Sequence, residues 1–240
     1  MIFDINTAVG VWPFRNLPFA GNSKALYDHL AKKGITCGVT RHYGAPFCHD
    51  LDFINDELAR SVVPGFIPSF AVRPDYKQWK TIKAQVVALY PSFHCYKLTD
   101  PETLEMAKDL AGRGIVLHII LREEDERSHH LRAMVPRIDP AEIEAFADAL
   151  PEAKIVLINA MGGELNLIAK HANLYGEMAS FEPYDVTAAL AALPGDRLLF
   201  GSHSPLYCTT AALWKLERAD NLDRDLIARI HSGNAAKLYR

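Results

Sequence analysis

The sequence predicts a single (β/α)8 barrel. Short, β-branched apolar runs alternate with stretches of helical period. The alternation recurs about eight times, and the chain's 240 residues are close to the roughly 250 that such a barrel uses. A doubly wound open sheet would alternate in the same way, but neither GxGxxG nor GxxxxGK[ST] follows an early strand. The barrel is therefore expected to occupy residues 1–240 as one domain.

In order, strands are predicted at Phe3–Asn6, Thr36–Thr40, Phe66–Ala71, Val86–Tyr90, Val116–Leu121, Lys154–Ile158, Leu174–Met178 and Arg197–Gly201. Several are apolar throughout, as strands buried on both faces must be. Helices are predicted near Ser23–Lys33, Asp50–Ser61, Pro101–Gly112, Pro140–Leu150, Gly163–His171 and Tyr184–Leu193, with Asp223–Tyr239 last and Asp75–Lys83 the weakest. Asp100-Pro101 and Asp139-Pro140 each put a capping residue ahead of a first-turn proline, whose missing N–H costs little there. Gly34 and Gly112 suit helix C-termini.

Composition limits the function classes. Hydrophobic residues are 49% and charged residues 23% of the chain, enough apolar side chain for a core without a disordered tract. A net charge of −3 without a Lys/Arg cluster argues against nucleic acid and anionic membranes as partners. No apolar run reaches the roughly 18 residues of a membrane helix, and MIFDIN enters a strand-like run with no basic, signal-like lead. The four cysteines form no CxxC pair, so a reducing, cytoplasmic setting is expected. The partner is expected to be a small molecule, and self-association is left open.

In such a barrel the chemistry sits where strands end and βα loops begin. Strand one carries Asp4 and Asn6, which alternation places on one side, and leads to Trp12-Pro13-Phe14-Arg15. Phe93-His94-Cys95-Tyr96 follows strand four. Strand five holds His118 and runs into Arg122-Glu123-Glu124-Asp125-Glu126-Arg127-Ser128-His129-His130, the densest ionisable segment. Strand six ends in Asn159-Ala160-Met161-Gly162-Gly163, and strand eight in Gly201-Ser202-His203-Ser204-Pro205.

These segments resemble the amidohydrolase-related family, the metal-dependent hydrolases of this barrel fold. Leu199–Pro205 is similar to its FGSDxP-like last strand, and Gly233–Tyr239 to its GNAxxLF-like last helix. Asn159–Gly163 stands where the family has HxGG, and Asp4–Thr7 where it has HxH. The resemblance implies a divalent metal held by histidines of strands one and five and an aspartate of strand eight. Here Asp4 and Asn6 replace the HxH pair, Asn159 replaces the sixth-strand histidine and His203 the aspartate, as in a divergent branch.

Two site chemistries follow. In one, Asp4, Asn6, His118 and His203 supply two oxygen and two imidazole ligands to zinc, manganese or iron, zinc first. In the other no metal is used, and His203 is the general acid or base. Arg122, Glu124 and Arg127 then bind an anionic or polyhydroxylated substrate, with Asn159 beside the reacting atoms. Trp12, Arg15 and His94 are expected to contact substrate. Structural duties compete with each role: Asp4 and Asn6 can tie down the first turn, Trp12 can pack a loop, His118 can be a bonded core residue, and the charged loop can be solvated.

The function expected is a hydrolase or lyase acting on a small lactone, amide or carboxylated ring, with His203 central. A barrel that binds a metabolite or partner without turnover is the alternative, because fold alone does not confer chemistry.

Overall fold

In a computed structural model, residues 1–19, 21–124, 130–131, 134–181, 185–219 and 222–239 are described. Eight strands form one sheet in sequence order: β1 Ile2–Val9, β2 Ile35–His42, β3 Phe66–Val72, β4 Val86–Leu89, β5 Val116–Ile120, β6 Ile155–Ile158, β7 Leu174–Glu177 and β8 Leu198–Leu199. Every neighbouring pair is parallel. Closure comes from β1 meeting the chain after β8. Ile5 N donates to Phe200 O at 3.0 Å, Ala8 N donates to Ser204 O at 2.9 Å, and Thr7 bridges Ser204 in parallel. The predicted (β/α)8 barrel is the observed one, with each strand where the apolar runs put it.

The helices are α1 Ser23–Ala31, α2 Leu51–Ser61, α3 Pro101–Gly112, α4 Pro140–Ala149, α5 Gly162–Lys170, α6 Asp185–Ala192, α7 Thr209–Glu217, α8 Arg224–Ala228 and α9 Asn234–Leu238. Asp139 caps α4 as its sequence suggests, accepting from Ala141 N, and Pro101 starts α3. Two departures matter. The weak third helix is only a 3-10 turn at Lys77–Lys80. The last helix is broken into α8, a π turn at Arg229–Gly233, and α9. The widened turn lets Ile230 O accept from Phe200 N, and Asn234 Nδ2 donates to Gly195 O and Leu198 O at 2.9 and 2.8 Å. The C-terminal Gly-Asn segment thus fixes the strand that closes the barrel.

Alternation along each strand divides the core in two. Val87, Leu89, Leu117, Ile119, Ile155 and Leu157 point outward onto the helices. Val86, Ala88, Val116, Ile120, Val156 and Ile158 fill the interior. At the N-terminal end the interior is plugged by Tyr239, which stacks on Phe3 with ring centroids 5.6 Å apart. At the C-terminal end Trp12, Tyr43 and Leu206 cover the mouth with Phe14 packed against them.

β1 breaks the simple period. Asp4 pairs with Gly38 and Thr7 with Thr40, so three steps of β1 oppose two of β2. A bulge of this kind redirects side chains. Ile5 joins the interior, while Asp4 and Asn6 take different directions instead of sharing one.

Candidate functional site

Six buried polar side chains from six strand ends form one network at the mouth: Asn6, Arg41, Glu123, Asn159, Glu177 and His203. Arg41 Nη2 lies 2.6 Å from Glu123 Oε2 and its Nε lies 3.4 Å from Oε1, a bidentate pair. Arg41 Nη1 donates to Asn6 Oδ1, and Nη2 lies 3.5 Å from His203 Nε2. Glu177 Oε1 accepts from Asn6 Nδ2 at 2.9 Å and from Asn159 N at 2.7 Å, and Oε2 accepts from Ala179 N.

Proton counting fixes the His203 tautomer. Arg41 can only donate, so Asn6 must present Oδ1 to it and its two amide hydrogens elsewhere. Those two go to Glu177 Oε1 and to Asn159 Oδ1, the latter at 2.8 Å. Asn159 Nδ2 donates to Arg122 O at 2.6 Å, which orients Asn159 as well. His203 Nδ1 therefore carries the hydrogen and donates to Asn159 Oδ1 at 2.7 Å. The Nε2 lone pair faces Arg41, with Glu123 Oε2 3.7 Å away.

The backbone is strained where this bond forms. Asn159 and His203 both have left-handed φ, 59° and 54°, a region that costs non-glycine residues about 1 kcal/mol or more and clusters at functional sites. The turn carrying His203 is held by hydroxyls. Ser202 Oγ donates to Ser204 Oγ at 2.7 Å, and Ser204 Oγ is 2.6 Å from Thr209 Oγ1. Gly201 is needed for close approach, because a Cβ there would lie 2.2 Å from Glu177 Oε2.

Burial sets the charge states. It holds the His203 imidazole well below its usual value, and the nearby Arg41 charge lowers it further, so the ring is neutral. Burial opposes the Arg41 charge, but the Glu123 carboxylate more than offsets this and raises its pKa. Burial raises Glu177 against the N–H donors of Ala179, Asn159 and Asn6. Asp4 rises to about 7, again through burial, although bonds from Ser202 and Asn6 pull it down. Its Oδ1 accepts from Ser202 N at 3.0 Å and Asn6 N at 3.1 Å, while Oδ2 is buried with no hydrogen-bond partner among the described residues.

The residues singled out in the sequence divide sharply. His203, Asn159 and Asn6 come together. Asp4 is adjacent but bonds the β1 and β8 backbones, a result of the bulge. His118 lies deep in the barrel, its Nε2 2.7 Å from Tyr239 Oη, and burial lowers its pKa to about 3. The four residues assigned to a metal are therefore not gathered at one point. Arg122 donates to Asn159 O and pairs with Glu164, bracing the start of α5 instead of facing the mouth. Glu124 sits 2.9 Å from Arg15 Nη2. Trp12 packs edge-on against Phe14 and Tyr43. His94 Nε2 bonds Ala45 O at 3.0 Å and holds the loop after β2. Arg127 lies outside the described residues.

The sequence alone assigns no role to Arg41 and Glu177, at the ends of strands two and seven, and marks Glu123 only as part of the charged segment after strand five. Their signal was a charged residue at the end of an apolar strand. Beside the network, a cavity of about 400 Å³ opens between the β1–α1 loop and α7. Its wall includes Tyr207, whose ring stacks on His203 with centroids 4.8 Å apart.

A model of the amidohydrolase family matches residues 43–240. The chain belongs to the amidohydrolase family. No curated protein matches it by sequence. Among solved structures, this amidohydrolase is similar to an amidohydrolase 2 from Bifidobacterium longum subsp. infantis, at 16% identity and TM-score 0.72, covering 99% of this chain and 98% of that one. It is also similar to a dihydroxybenzoic acid decarboxylase from Polaromonas sp. JS666 that contains manganese and the inhibitor 2-nitroresorcinol, at 12% identity and TM-score 0.72, covering 100% and 97%. A third is 4-oxalomesaconate hydratase from Rhodopseudomonas palustris, at 14% identity and TM-score 0.68, covering 100% and 95%. Identities this low show a shared fold.

A metal is thus present in one structure of this fold, and the donor set here can be tested against that group. Among the described residues, no three His, Cys, Asp or Glu side chains gather so as to hold a metal ion. Asn6 Oδ1 and His203 Nε2, two of the assigned ligand atoms, both face the Arg41 guanidinium. The residues as arranged do not fit a divalent ion.

Proposed function

We propose that this amidohydrolase is a lyase or hydrolase of small carboxylated molecules, with His203 as its proton-transfer group. The carrying observation is the His203 imidazole: Nδ1 is committed to Asn159, Nε2 is an unprotonated lone pair, and the ring is neutral. A neutral imidazole takes a proton from a substrate or a water. The imidazolium formed would lie 3.7 Å from Glu123 Oε2, which favours it against the opposing Arg41 charge 3.5 Å away. Asn159 keeps the ring in the productive tautomer, a positioning duty, and Asn6 and Glu177 hold Asn159.

The cavity beside Tyr207 offers room for a small ring or a short dicarboxylate, and Arg15 on its wall, paired with Glu124 at 2.9 Å, brings a guanidinium there. The decarboxylase and hydratase of the same fold are named for dihydroxybenzoic acid and 4-oxalomesaconate, both carboxylated, which supports a carboxylated substrate. A zinc-assisted version would need Arg41 to leave the donors it occupies, so the reading is built on His203 without a metal. Free thiols at Cys37, Cys48, Cys95 and Cys208 are consistent with a reducing, cytoplasmic setting.

A second reading, a metabolite-binding barrel without turnover, is favoured by one observation: His203 is 0% exposed and its neighbours satisfy one another. A panel of aromatic carboxylic acids, unsaturated dicarboxylates, lactones and amides separates the two. Turnover that His203→Ala abolishes and His203→Gln does not restore supports catalysis. Ligand-induced thermal stabilisation without turnover on any compound overturns it in favour of binding.

A further inference from the structure

Three donor atoms converge at the mouth: Asn6 Oδ1 from β1, Glu123 Oε2 from the loop after β5, and His203 Nε2 from the loop after β8. An amide oxygen, a carboxylate oxygen and an imidazole nitrogen are a donor set that zinc and manganese accept. The group at their meeting point is the Arg41 guanidinium, 2.6 Å from the carboxylate and 3.5 Å from the imidazole.

We propose that Arg41 is a resident cation that takes the place of a divalent metal, supplying the positive charge at the mouth and shutting a metal ion out. The physical case has three parts. Arg41 is buried at 4% exposure and cannot shed its proton in a protein. It holds Asn6 and Glu123 in one planar fork, so removing it would leave a buried carboxylate and amide oxygen unpaired, and nothing would drive it out. A dication bound by the same three atoms would sit in contact with a like charge where water does not screen it.

The remaining assigned ligands have other duties and stay out of the Arg41 cluster. Asp4 bonds backbone N–H groups and His118 bonds Tyr239, neither being needed to balance an ion. The inference concerns what the donors hold and stands independently of whether the chain turns over a substrate.

The test is metal binding itself. Wild-type protein purified without chelator is analysed by mass spectrometry for manganese, iron and zinc, and its melting is followed with EDTA and with added Zn²⁺ or Mn²⁺. The expected result is far less than one ion per chain and an unmoved melting temperature. Arg41→Ala, checked for folding by circular dichroism, is expected to gain zinc affinity by about tenfold or more, the least that removing a like charge at contact range implies. Adding Glu123→Gln should reverse that gain, and Arg41→Lys should still exclude the metal.

A stoichiometric ion in wild type that His203→Ala loses would overturn the proposal. So would a folded Arg41→Ala that binds zinc no better than wild type. If Arg41→Ala does not fold, the wild-type metal content and the Arg41→Lys titration decide, since zinc bound tightly by either overturns it.

Discussion

The two ends of this barrel each bury a histidine against strand residues, yet they treat it in opposite ways. At the N-terminal end His118 faces one neutral partner, Tyr239 Oη, within apolar side chains such as Ala88, Val116 and Val156. At the C-terminal end His203 faces an asparagine on one nitrogen and an Arg–Glu pair on the other. Burial lowers both imidazoles. The difference lies in what stands ready to receive a proton's charge. Tyr239 has its own ionisation pushed well up by burial, so it stays neutral and cannot balance an imidazolium. His203 instead has a carboxylate, Glu123, 3.7 Å away, which it shares with Arg41. The same residue type is a structural strut at one end and, in the function proposed above, the base at the other, and the groups each ring faces set the two apart.

The largest expected effect tests whether the mouth depends on its ion pair. Glu123→Ala leaves the Arg41 charge buried without its carboxylate, and breaking a buried pair in this way costs about 3–5 kcal/mol. Chemical denaturation should show a loss of that size. A loss below about 1 kcal/mol, the range of an exposed pair, would mean that water reaches the pair and that the mouth is no more enclosed than the surface.

A pH series sharpens the same contrast. Asp4 binds its proton more tightly in the folded chain, about 7 against an ordinary 3.8. Its contribution is therefore fully present below about 4 and is lost as pH rises through about 7. Asp4→Asn removes this dependence while keeping an oxygen for Ser202 N and Asn6 N. The variant's stability relative to wild type should rise by roughly 2–4 kcal/mol between acidic and neutral pH. A flat difference would place Asp4 in contact with water. The neutral ring of His203 runs the other way: its lowered pKa gives stability present above the ordinary histidine value and lost on acidification.

The smallest effect is expected at the base. Tyr239→Phe removes one buried hydrogen bond from His118 and should cost about 1–2 kcal/mol, with no change in metal exclusion or in any turnover at the mouth. A change in either would show that the two ends are coupled through the interior of β5.

The sequence made the strand order and most helix limits legible, because buried strands and amphipathic helices write their periods directly into the apolar pattern. Pro101 and Pro140 marked helix starts that the structure keeps. Helix α7 is not legible in the sequence, where Thr209–Glu217 gives only a weak amphipathic pattern. The last helix looks continuous in the sequence because a π turn leaves no periodic trace.

For the site, residue identity and position at strand ends picked out His203, Asn159 and Asn6 without structure. What the sequence could not supply was direction and partnership. The β1 bulge separated Asp4 from Asn6, the depth of His118 within β5 turned it to Tyr239, and Arg122 swung to Glu164. Arg41 and Glu123, 82 residues apart, met only through closure of the sheet. Hydrophobic period is a local property and survives in the chain alone. Which charges face one another across a barrel depends on register, twist and depth, and those exist only once all eight strands are in place.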